Sequence, residues 1–353
     1  MSVGKNNIIL VTGANGFIGQ RVVKKLLELE YKNLRCLVRP SSDIQNLLNI
    51  KESCNENDVN IDIVKGNLLS KEDCKNVTQG VSVIYHLAAG RGEKSYPDAY
   101  MNSVVTTRNL LDAVIEIEEF IFKRFVNISS FTVYSTESLR RGGILDETCK
   151  IEDHPELRGE AYCYAKVRQE EMVIEYGKKH KIPFVIVRPG VVYGPGNKGI
   201  TGRVGIGMFG LFLHLGGSNL IPLTYVDNCA EAIIYAGITD GVDGETFNIV
   251  DDELLTSRRL LRLYKSNVKS FPSIYIPHAL NYLLCFLWEK YSRWSYVQLP
   301  PVFNRKKYAS YWKRVRYSNA KIKNQLGWKP RVPVQEAMER YFNYQKEVGF
   351  KIL

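Results

Sequence analysis

The chain of 353 residues contains no long apolar run and no paired cysteine motif. No stretch reaches the roughly 18 apolar residues of a membrane span, and the opening MSVGKNN leads directly into an apolar segment, so we expect neither a span nor a signal peptide. The seven cysteines are scattered and never spaced as CxxC. This argues against disulfides and a zinc site, predicts no bound metal, and favours a reducing, cytoplasmic location.

The composition also lacks the bias of a disordered or repetitive chain. With 45% hydrophobic and 24% charged residues, the chain can bury a large core, as one domain or as one domain with a smaller lobe. The formal net charge of +11 allows nucleic acid, anionic lipid or an anionic substrate as partner and does not choose among them. No nucleic-acid recognition module accompanies the basic residues, so we predict no nucleic-acid partner.

The segment IILVTGANGFIG at residues 8–19 combines an apolar run with glycines spaced by three. This pattern predicts a buried parallel strand, a tight turn and a helix over residues 17–28. Glycines, which have no Cβ atom, let a pyrophosphate approach the N–H groups and the positive end of the helix. We therefore predict a dinucleotide cradle here. The turn residues expected to bind the cofactor are Gly13, Asn15, Gly16, Phe17, Ile18 and Gly19.

Three further predicted strands, over residues 33–38, 61–64 and 81–85, end in groups suited to a dinucleotide. Arg39 stands about 20 residues after the glycine turn, where an acid binds free ribose hydroxyls and an arginine favours a 2′-phosphate. We therefore predict NADP in preference to NAD, the alternative being a solvated arginine at a strand end. Asn67 could hydrogen-bond an adenine edge, and small residues after the fourth strand let a cofactor lie across it. The residues expected to bind the cofactor here are Arg39, Asn67, Leu68, Leu87, Ala88 and Ala89.

A serine, a tyrosine and a lysine form the candidate catalytic group. Ser130 follows a predicted strand over residues 125–128, and a helix over 161–180 carries Tyr162 and Lys166 four residues apart on one face. A tyrosine with a pKa near 10 is a poor acid or base at neutral pH, and a nearby ammonium lowers that pKa. The three residues therefore predict acid/base chemistry at a tyrosine hydroxyl.

Two polar residues between these elements have less direct interpretations. His86, at the end of the fourth strand, is predicted to be packed rather than catalytic. A helix is predicted over residues 99–116, with Asn102 facing back toward the sheet.

Taken together, the motifs make the chain resemble the extended short-chain dehydrogenase/reductase family, which includes nucleotide-sugar epimerases and 3β-hydroxysteroid dehydrogenases. The resemblance covers nearly the whole chain. The motifs that carry it are TGANGFIG at 12–19, HLAA at 86–89, ISSFTVY at 128–134, YCYAK at 162–166, RPGVVYGPG at 188–196, YVDNCAEA at 225–232 and SNAKIKNQLGWKP at 318–330.

This resemblance implies an α/β fold: a Rossmann-type, doubly wound parallel sheet of seven strands with a smaller C-terminal substrate-binding lobe. The Rossmann domain would lie mainly in residues 1–190 and the lobe in 191–353, with about 225–250 returning to the Rossmann domain. A homodimer is also implied.

The resemblance also implies roles for individual residues. Ser130 orients the substrate, Tyr162 is the acid/base, and Lys166 holds the nicotinamide ribose and polarises Tyr162. Tyr162 and Lys166 thus touch the cofactor as well, and Pro189 joins the cofactor-binding residues.

Two departures from the family pattern narrow the reaction. Dehydratases of the family carry Asp-Glu where this chain has Phe131 and Thr132, so dehydration is not expected. Many sugar epimerases carry an asparagine where this chain has Val191, which brings the chain closer to the hydroxysteroid dehydrogenase branch. That change weakens the case for a nucleotide sugar without excluding it.

The last third contains an apolar stretch at residues 276–288 between clusters of arginine and lysine. One interpretation is a lobe helix that walls the substrate cleft. The other is a peripheral membrane contact through residues 276–294, because cations and aromatic residues flank a stretch too short to span a bilayer.

Three functional hypotheses follow. The first is an NAD(P)-dependent oxidoreductase or epimerase acting on a secondary alcohol or ketone of a nucleotide-linked or lipid-linked sugar. The second is the same hydride transfer on a sterol-like or other apolar alcohol. The third is a dinucleotide-binding regulator without turnover, which the presence of all three catalytic residues disfavours.

Overall fold

A computed structural model describes residues 3–54, 59–90, 95–118, 121–197, 199–295, 298–299 and 303–348. The strands in chain order are β1 (Ile8–Thr12), β2 (Asn33–Val38), β3 (Asn60–Lys65), β4 (Val81–His86), β5 (Arg124–Ile128), β6 (Ile144–Leu145), β7 (Phe184–Pro189), β8 (Val191–Tyr193), β9 (Gly205–Met208), β10 (Leu211–His214), β11 (Leu223–Tyr225), β12 (Thr246–Ile249), β13 (Ser273–Tyr275) and β14 (Arg316–Tyr317). The α-helices are α1 (Gly19–Glu28), α2 (Gln45–Glu52), α3 (Lys71–Thr78), α4 (Tyr96–Tyr100), α5 (Thr106–Ile115), α6 (Ala161–His180), α7 (Val226–Ile238), α8 (Ser257–Asn267), α9 (His278–Trp294), α10 (Arg305–Tyr311), α11 (Ala320–Leu326) and α12 (Val334–Val348).

The central sheet explains why the inner strands are almost wholly apolar. Within the described residues it has seven parallel strands in the order β12-β7-β5-β4-β1-β2-β3. Strands β4 and β5 are buried along their whole length, whereas the edge strand β3 alternates with exposed residues. The direction of winding reverses between β1 and β4, and the crevice at the carboxyl ends of such a pair is where open α/β sheets bind ligands. The predicted Rossmann-type fold is confirmed.

Helices cover both faces of this sheet because successive strand residues point to opposite sides. Ile9 and Val11 pack in a core with α1, α2, α7 and α11, and Leu10 between them packs in a second core with α3, α5 and α6. The sheet is therefore doubly wound, with one apolar core on each face. Because its strands are parallel, their carboxyl ends lie along one edge.

The helices and strands predicted from the sequence have observed counterparts. Two expectations differ from the structure: the continuity of one helix and the direction of one side chain. The helix expected over residues 99–116 is interrupted by a π-helical turn, Met101–Val105, between α4 and α5. Asn102 lies in that turn and is exposed, and its side-chain amide donates to the Asp98 carbonyl at 2.9 Å. The expectation that Asn102 faces the sheet was wrong, because the side chain bonds to its own helix.

The chain after β7 builds small sheets and also returns to the central one. β9, β10 and β13 form a three-stranded sheet, and β8 pairs with β11. α7 packs in the same core as α1, and β12 is the edge strand beside β7, so residues 226–249 belong to the central layers. The division of the chain into two domains near residue 190 stays a prediction. No described helix combines the length and apolar character that crossing a bilayer requires.

Gly237 in α7 offers a test of how tightly this helix packs on the sheet. A Cβ atom there would lie 2.2 Å from the hydroxyl of buried Tyr85, which donates to the Ile234 carbonyl at 3.0 Å. Gly237→Ala gains about 1 kcal/mol of helix propensity but overpacks the core, so we expect a net loss of roughly 1–2 kcal/mol in urea unfolding. Gly202→Ala is the control, since its Cβ would lie 3.8 Å from Tyr311. Equal stabilities of the two variants would contradict the packing.

Candidate active site

The fold brings Ser130, Tyr162 and Lys166 together at the carboxyl edge of the sheet. Ser130 lies two residues beyond β5, and α6 begins at Ala161 directly after a left-handed turn at Gly159 (φ 73°) and an extended residue. Tyr162 and Lys166 therefore occupy the first two turns of α6. The Ser130 hydroxyl acts on Tyr162 and lowers its pKa, and the Lys166 ammonium lies 6.0 Å from the centre of the Tyr162 ring.

The pKa of Tyr162 shifts in the direction opposite to the one expected from the sequence. Burial raises it, and this outweighs the hydrogen bond from Ser130, which lowers it. The Lys166 ammonium instead donates to the Ile128 carbonyl at 2.6 Å and to Gln169 Oε1 at 2.9 Å. At neutral pH Tyr162 is therefore a protonated phenol.

Lys166 is also buried and has a lowered pKa. It is 3% exposed, and burial lowers its pKa to about 8, with the charge of Glu170 acting in the opposite direction. An ammonium has three donors, and two are used by Ile128 and Gln169. The third remains for a group that enters the site beside Tyr162.

A buried chain of hydrogen bonds runs from β1 to Lys166. Thr107 donates to the Ser103 carbonyl at 2.6 Å, so its oxygen accepts from His86 Nε2 at 2.8 Å and from the Gln169 amide at 2.8 Å. His86 Nδ1 then accepts from the Thr12 hydroxyl at 2.8 Å. Burial, followed by the charge of Lys166, lowers the pKa of His86 to about 3, so the ring is neutral. As expected, His86 is packed.

Gln169, which the sequence analysis missed, connects these hydrogen bonds to Lys166. Its amide nitrogen donates to Thr107 while its oxygen accepts from Lys166, so one side chain satisfies both neighbours. The available signal was its spacing, since residue i+3 from Lys166 shares a helix face with it.

A buried ion pair fixes α6 against β7 and was also missed. Arg188 binds Glu170 through two parallel contacts of 2.9 and 2.6 Å, and both side chains are almost fully buried. Arg188 also donates to the Tyr134 hydroxyl at 2.9 Å, which donates to Asn248 Oδ1 at 2.7 Å. The signal was an arginine within the apolar run FVIVRP.

The glycine turn has the dimensions of a phosphate cradle. Gly13 has φ 67°, and a Cβ there would lie 2.9 Å from the Ala88 nitrogen. A Cβ on Gly19 would lie 2.2 Å from the Gly13 carbonyl, and one on Gly16 would lie 3.0 Å from it. Only glycine fits this close approach, and the turn opens at the start of α1, where N–H groups and the helix dipole favour an anion. The residues present fit a dinucleotide.

The rest of the turn supports its shape. The Asn15 side-chain amide donates to the Asp43 carbonyl, which ties the turn to the segment after β2. Phe17 is half-buried beneath Gly196, where a Cβ would lie 3.0 Å from its ring. Ile18 is the half-buried residue that precedes α1.

The other predicted cofactor residues lie at the same edge of the sheet. Arg39 directly follows β2, is exposed, and has no ion-pair partner within the part of the chain that the structure describes. Asn67 Oδ1 accepts from the Leu69 nitrogen at 3.0 Å, and the Leu68 carbonyl accepts from Asn109 at 2.9 Å. Leu87, Ala88 and Ala89 are half-buried after β4, and Pro189 is the buried last residue of β7.

A cluster of cations surrounds Tyr311 close to α6, and the sequence analysis did not single it out. The charged groups of Arg158, Arg203 and Lys307 lie 5.8, 5.1 and 5.9 Å from its ring centre. Glu160, two residues before Tyr162, is 2.8 Å from Arg158 and 3.8 Å from Lys307. We call these five residues the Tyr311 cluster; its three cations face one carboxylate.

The two positions where dehydratases of the family carry Asp-Glu hold no carboxylate here, and the Thr132 carbonyl accepts from Arg158. Phe131 and Thr132 are buried, and the ring of Phe131 stacks on Tyr317 at 5.7 Å between ring centres. Among the described residues, no group of three or more His, Cys, Asp or Glu side chains is placed to hold a metal ion.

The leucines of α9 at 280, 283, 284 and 287 are exposed. Helix α10 contacts the turn Pro155–Arg158 ahead of α6. The expectation that residues 276–288 wall the substrate cleft stays a prediction.

The lowered pKa of Lys166 predicts a pH-dependent stability. Between its folded value of about 8 and its ordinary value of 10.5, the unfolded chain holds one more proton than the folded chain. The stability of the wild type relative to Lys166→Met should therefore be constant below about pH 8 and rise above it, by at most about 1.4 kcal/mol per pH unit. Urea unfolding across this range measures the slope. A difference that falls or stays flat would contradict the burial of a charged Lys166.

Comparison with known proteins agrees with this geometry. The NAD dependent epimerase/dehydratase family model matches residues 9–250. An Arabidopsis thaliana trifunctional UDP-glucose 4,6-dehydratase/UDP-4-keto-6-deoxy-D-glucose 3,5-epimerase/UDP-4-keto-L-rhamnose-reductase is 28% identical over 68% of this chain and 36% of its own length. An Arabidopsis thaliana 3beta-hydroxysteroid-dehydrogenase/decarboxylase is 24% identical over 94% of this chain and 78% of its own length.

The fold likeness extends over almost the whole chain. The UDP-glucuronic acid 4-epimerase of Bacillus cereus, solved in complex with NAD, superposes with a TM-score of 0.70 at 21% identity, covering 97% of this chain and 99% of its own. The chain spans about a third of the length of the trifunctional relatives it matches. Because the family model covers well over half of the chain, including the candidate residues Ser130, Tyr162 and Lys166, the chain belongs to the NAD dependent epimerase/dehydratase family.

Proposed function

We propose that the chain is an NAD(P)-dependent enzyme that acts by hydride transfer on a secondary alcohol or ketone of a nucleotide-linked or lipid-linked sugar. The observation that carries this proposal is the position of the buried Lys166 ammonium, held by Ile128 and Gln169 at 6.0 Å from the ring of Tyr162, on which the Ser130 hydroxyl also acts. The dinucleotide, when bound, supplies or accepts the hydride. The glycine turn and Arg39 would hold it.

The chain's own residues move and place the proton. When a ketone is reduced, Tyr162 donates its hydroxyl proton to the carbonyl oxygen, and in the reverse direction it accepts that proton. Ser130 orients the same oxygen through its hydroxyl. The remaining donor of Lys166 would bind a ribose hydroxyl of the dinucleotide, while Gln169 and Ile128 hold the ammonium in place.

The Tyr311 cluster supports a substrate that carries negative charge. Three cations face the single carboxylate of Glu160, and the other carboxylate in this region, Glu152, is paired with Lys306 at 2.6 Å. The excess positive charge near Tyr162 would attract a diphosphate or a carboxylate and would be poorly matched to a sterol. The relatives named for UDP-sugar reactions support the same substrate class.

A sterol or another apolar alcohol is the second candidate. It is supported by the plant 3beta-hydroxysteroid-dehydrogenase/decarboxylase, which matches 94% of this chain, and by Val191 where many sugar epimerases have asparagine. Mass spectrometry of ligands that co-purify with the protein, followed by turnover on nucleotide sugars and on sterols, separates the two. A regulator without turnover would bind the dinucleotide and act on neither.

The cofactor, assembly and location form the finer part of the proposal. We propose NADP as the preferred cofactor because of Arg39, and a homodimer because the family resemblance implies one. All seven cysteines are free thiols, which supports a reducing, cytoplasmic location.

Removal of the Tyr162 hydroxyl tests the chemistry. Tyr162→Phe should keep dinucleotide binding, because the ring still packs, and should lose turnover by about 10²- to 10⁴-fold. Tyr164→Phe, two residues along α6 with its ring against Tyr96, is the matched control and should keep turnover. Kinetics with the substrate identified among the nucleotide sugars and sterols measure turnover. Titration of dinucleotide fluorescence measures binding. Wild-type turnover in Tyr162→Phe would refute the role of Tyr162.

Replacement of Arg39 tests the cofactor preference. An arginine–phosphate contact is charge-assisted, so Arg39→Ala should weaken NADP binding by about tenfold or more and leave NAD binding nearly unchanged. Arg259→Ala, at an exposed position of α8, controls for the loss of one positive charge. Calorimetric titration with both dinucleotides gives the ratio. An unchanged ratio would show that Arg39 does not read the 2′-phosphate.

A further inference from the structure

Helix α9 buries its polar side and exposes its apolar side. Its buried residues are Asn281, Cys285 and Ser292. Besides Tyr282, six large apolar or aromatic side chains, most of them three or four residues from another of the six, are 43% to 75% exposed. Helices on the surface of soluble domains normally show the opposite arrangement. We call these six residues the outer face of α9: Leu280, Leu283, Leu284, Leu287, Tyr291 and Trp294.

Specific polar contacts hold α9 in this orientation. Glu289 accepts from Arg305 at 3.0 Å and from Arg293 at 2.7 Å, and the Ser292 hydroxyl donates to the Leu299 carbonyl at 2.6 Å. Rotation of the helix to bury the leucines would break the bonds of Glu289 to Arg305 and of Ser292 to Leu299, which lie outside α9. An apolar surface kept exposed in this way marks an interaction site.

A cationic surface on α8 adjoins the start of α9. Arg258, Arg262 and Lys265, spaced by four and three residues, line a depression of about 430 Å³ that no acidic side chain lines. The Arg258 guanidinium lies 5.5 Å from the ring of Tyr275, three residues before α9 begins. We call the three basic residues the α8 cations.

Helix α9 itself also carries exposed basic residues, and aromatic residues at its carboxyl end. Lys290 and Arg293 are exposed beside the outer face, and no unpaired carboxylate of α9 accompanies them, since Glu289 is already bonded to two arginines. Tyr291 and Trp294 close the outer face at its carboxyl end. Tyrosine and tryptophan favour the boundary between apolar and aqueous phases.

We propose that the outer face of α9 and the α8 cations bind the surface of an anionic lipid bilayer, with α9 lying in the plane of that surface. Exposed leucines enter the boundary of the acyl chains, and the cations meet lipid phosphates. A second copy of this chain suits the surface less well, because a twofold pairing would bring like charges of the two copies together. This proposal goes beyond the proposed reaction and does not depend on it.

Co-sedimentation of the full chain with vesicles tests the proposal directly. The wild type should bind vesicles of phosphatidylcholine with phosphatidylglycerol at low salt, more weakly at high salt, and least to phosphatidylcholine alone. The emission of exposed Trp294 should shift to the blue on binding, and this shift should be absent in Trp294→Phe. Lack of binding to anionic vesicles at low salt would overturn the proposal.

Paired variants separate the apolar and the electrostatic parts. Leu283→Ser with Leu287→Ser should weaken anionic-vesicle binding by about tenfold or more, whereas Leu157→Ser, at another exposed leucine, should not. Arg262→Ser should weaken it more than Arg259→Ser, which does not line the depression. Circular-dichroism melting verifies the fold of each variant.

Light scattering tests the alternative that the outer face of α9 pairs two copies of the chain. If the two leucine substitutions convert a dimer to a monomer and leave vesicle binding unchanged, the outer face of α9 pairs copies of the chain and the lipid proposal is overturned. An unchanged assembly with weakened vesicle binding supports it.

Discussion

The buried pair between Arg188 and Glu170 is the contact on which the geometry of the site depends. It joins the end of β7 to the next turn of α6 after Lys166, so it sets how far α6 stands from the carboxyl edge of the sheet. Removing one partner of such a pair leaves an uncompensated buried charge and costs about 3–5 kcal/mol. Its second link, through Tyr134 to Asn248, extends the restraint to the edge strand β12.

The hydrogen-bonded chain from Thr12 to Lys166 connects the cofactor side of the site with its catalytic side. Thr12 ends β1, directly before the glycine turn, and its hydroxyl accepts from the Ala88 nitrogen at 3.2 Å. Each buried polar side chain along the chain, from Thr12 through His86 and Gln169, has its partners. A satisfied network of this kind holds its members in one arrangement and leaves Lys166 in place before any ligand arrives.

Basic residues are concentrated in two different places. Those of the Tyr311 cluster are packed close to α6, and Arg158 and Arg203 among them are buried. The α8 cations line an open depression beside the start of α9. The net charge of +11 counts the residues of both places together, which is why it does not distinguish them.

Local sequence was sufficient for the elements whose cause is local. The strand at residues 33–38 and the helix at 161–180 have the predicted bounds, because apolar periodicity and the absence of breakers decide both. The glycine turn follows from steric limits that act within a few residues. Ser130 could be placed at the carboxyl edge of the sheet because it follows a strand, whereas its joint role with Tyr162 came from the family resemblance.

Tertiary structure decided what depends on burial and on partners distant in the chain. The rise in the pKa of Tyr162 comes from burial by several elements, and the Lys166 ammonium turned out to bond to Ile128, 38 residues away. The outward face of α9 follows from Glu289 bonding to Arg305 across 16 residues. Apolar periodicity marks which side chains share a face of a helix, but only the contacts of the folded chain decide whether that face is covered.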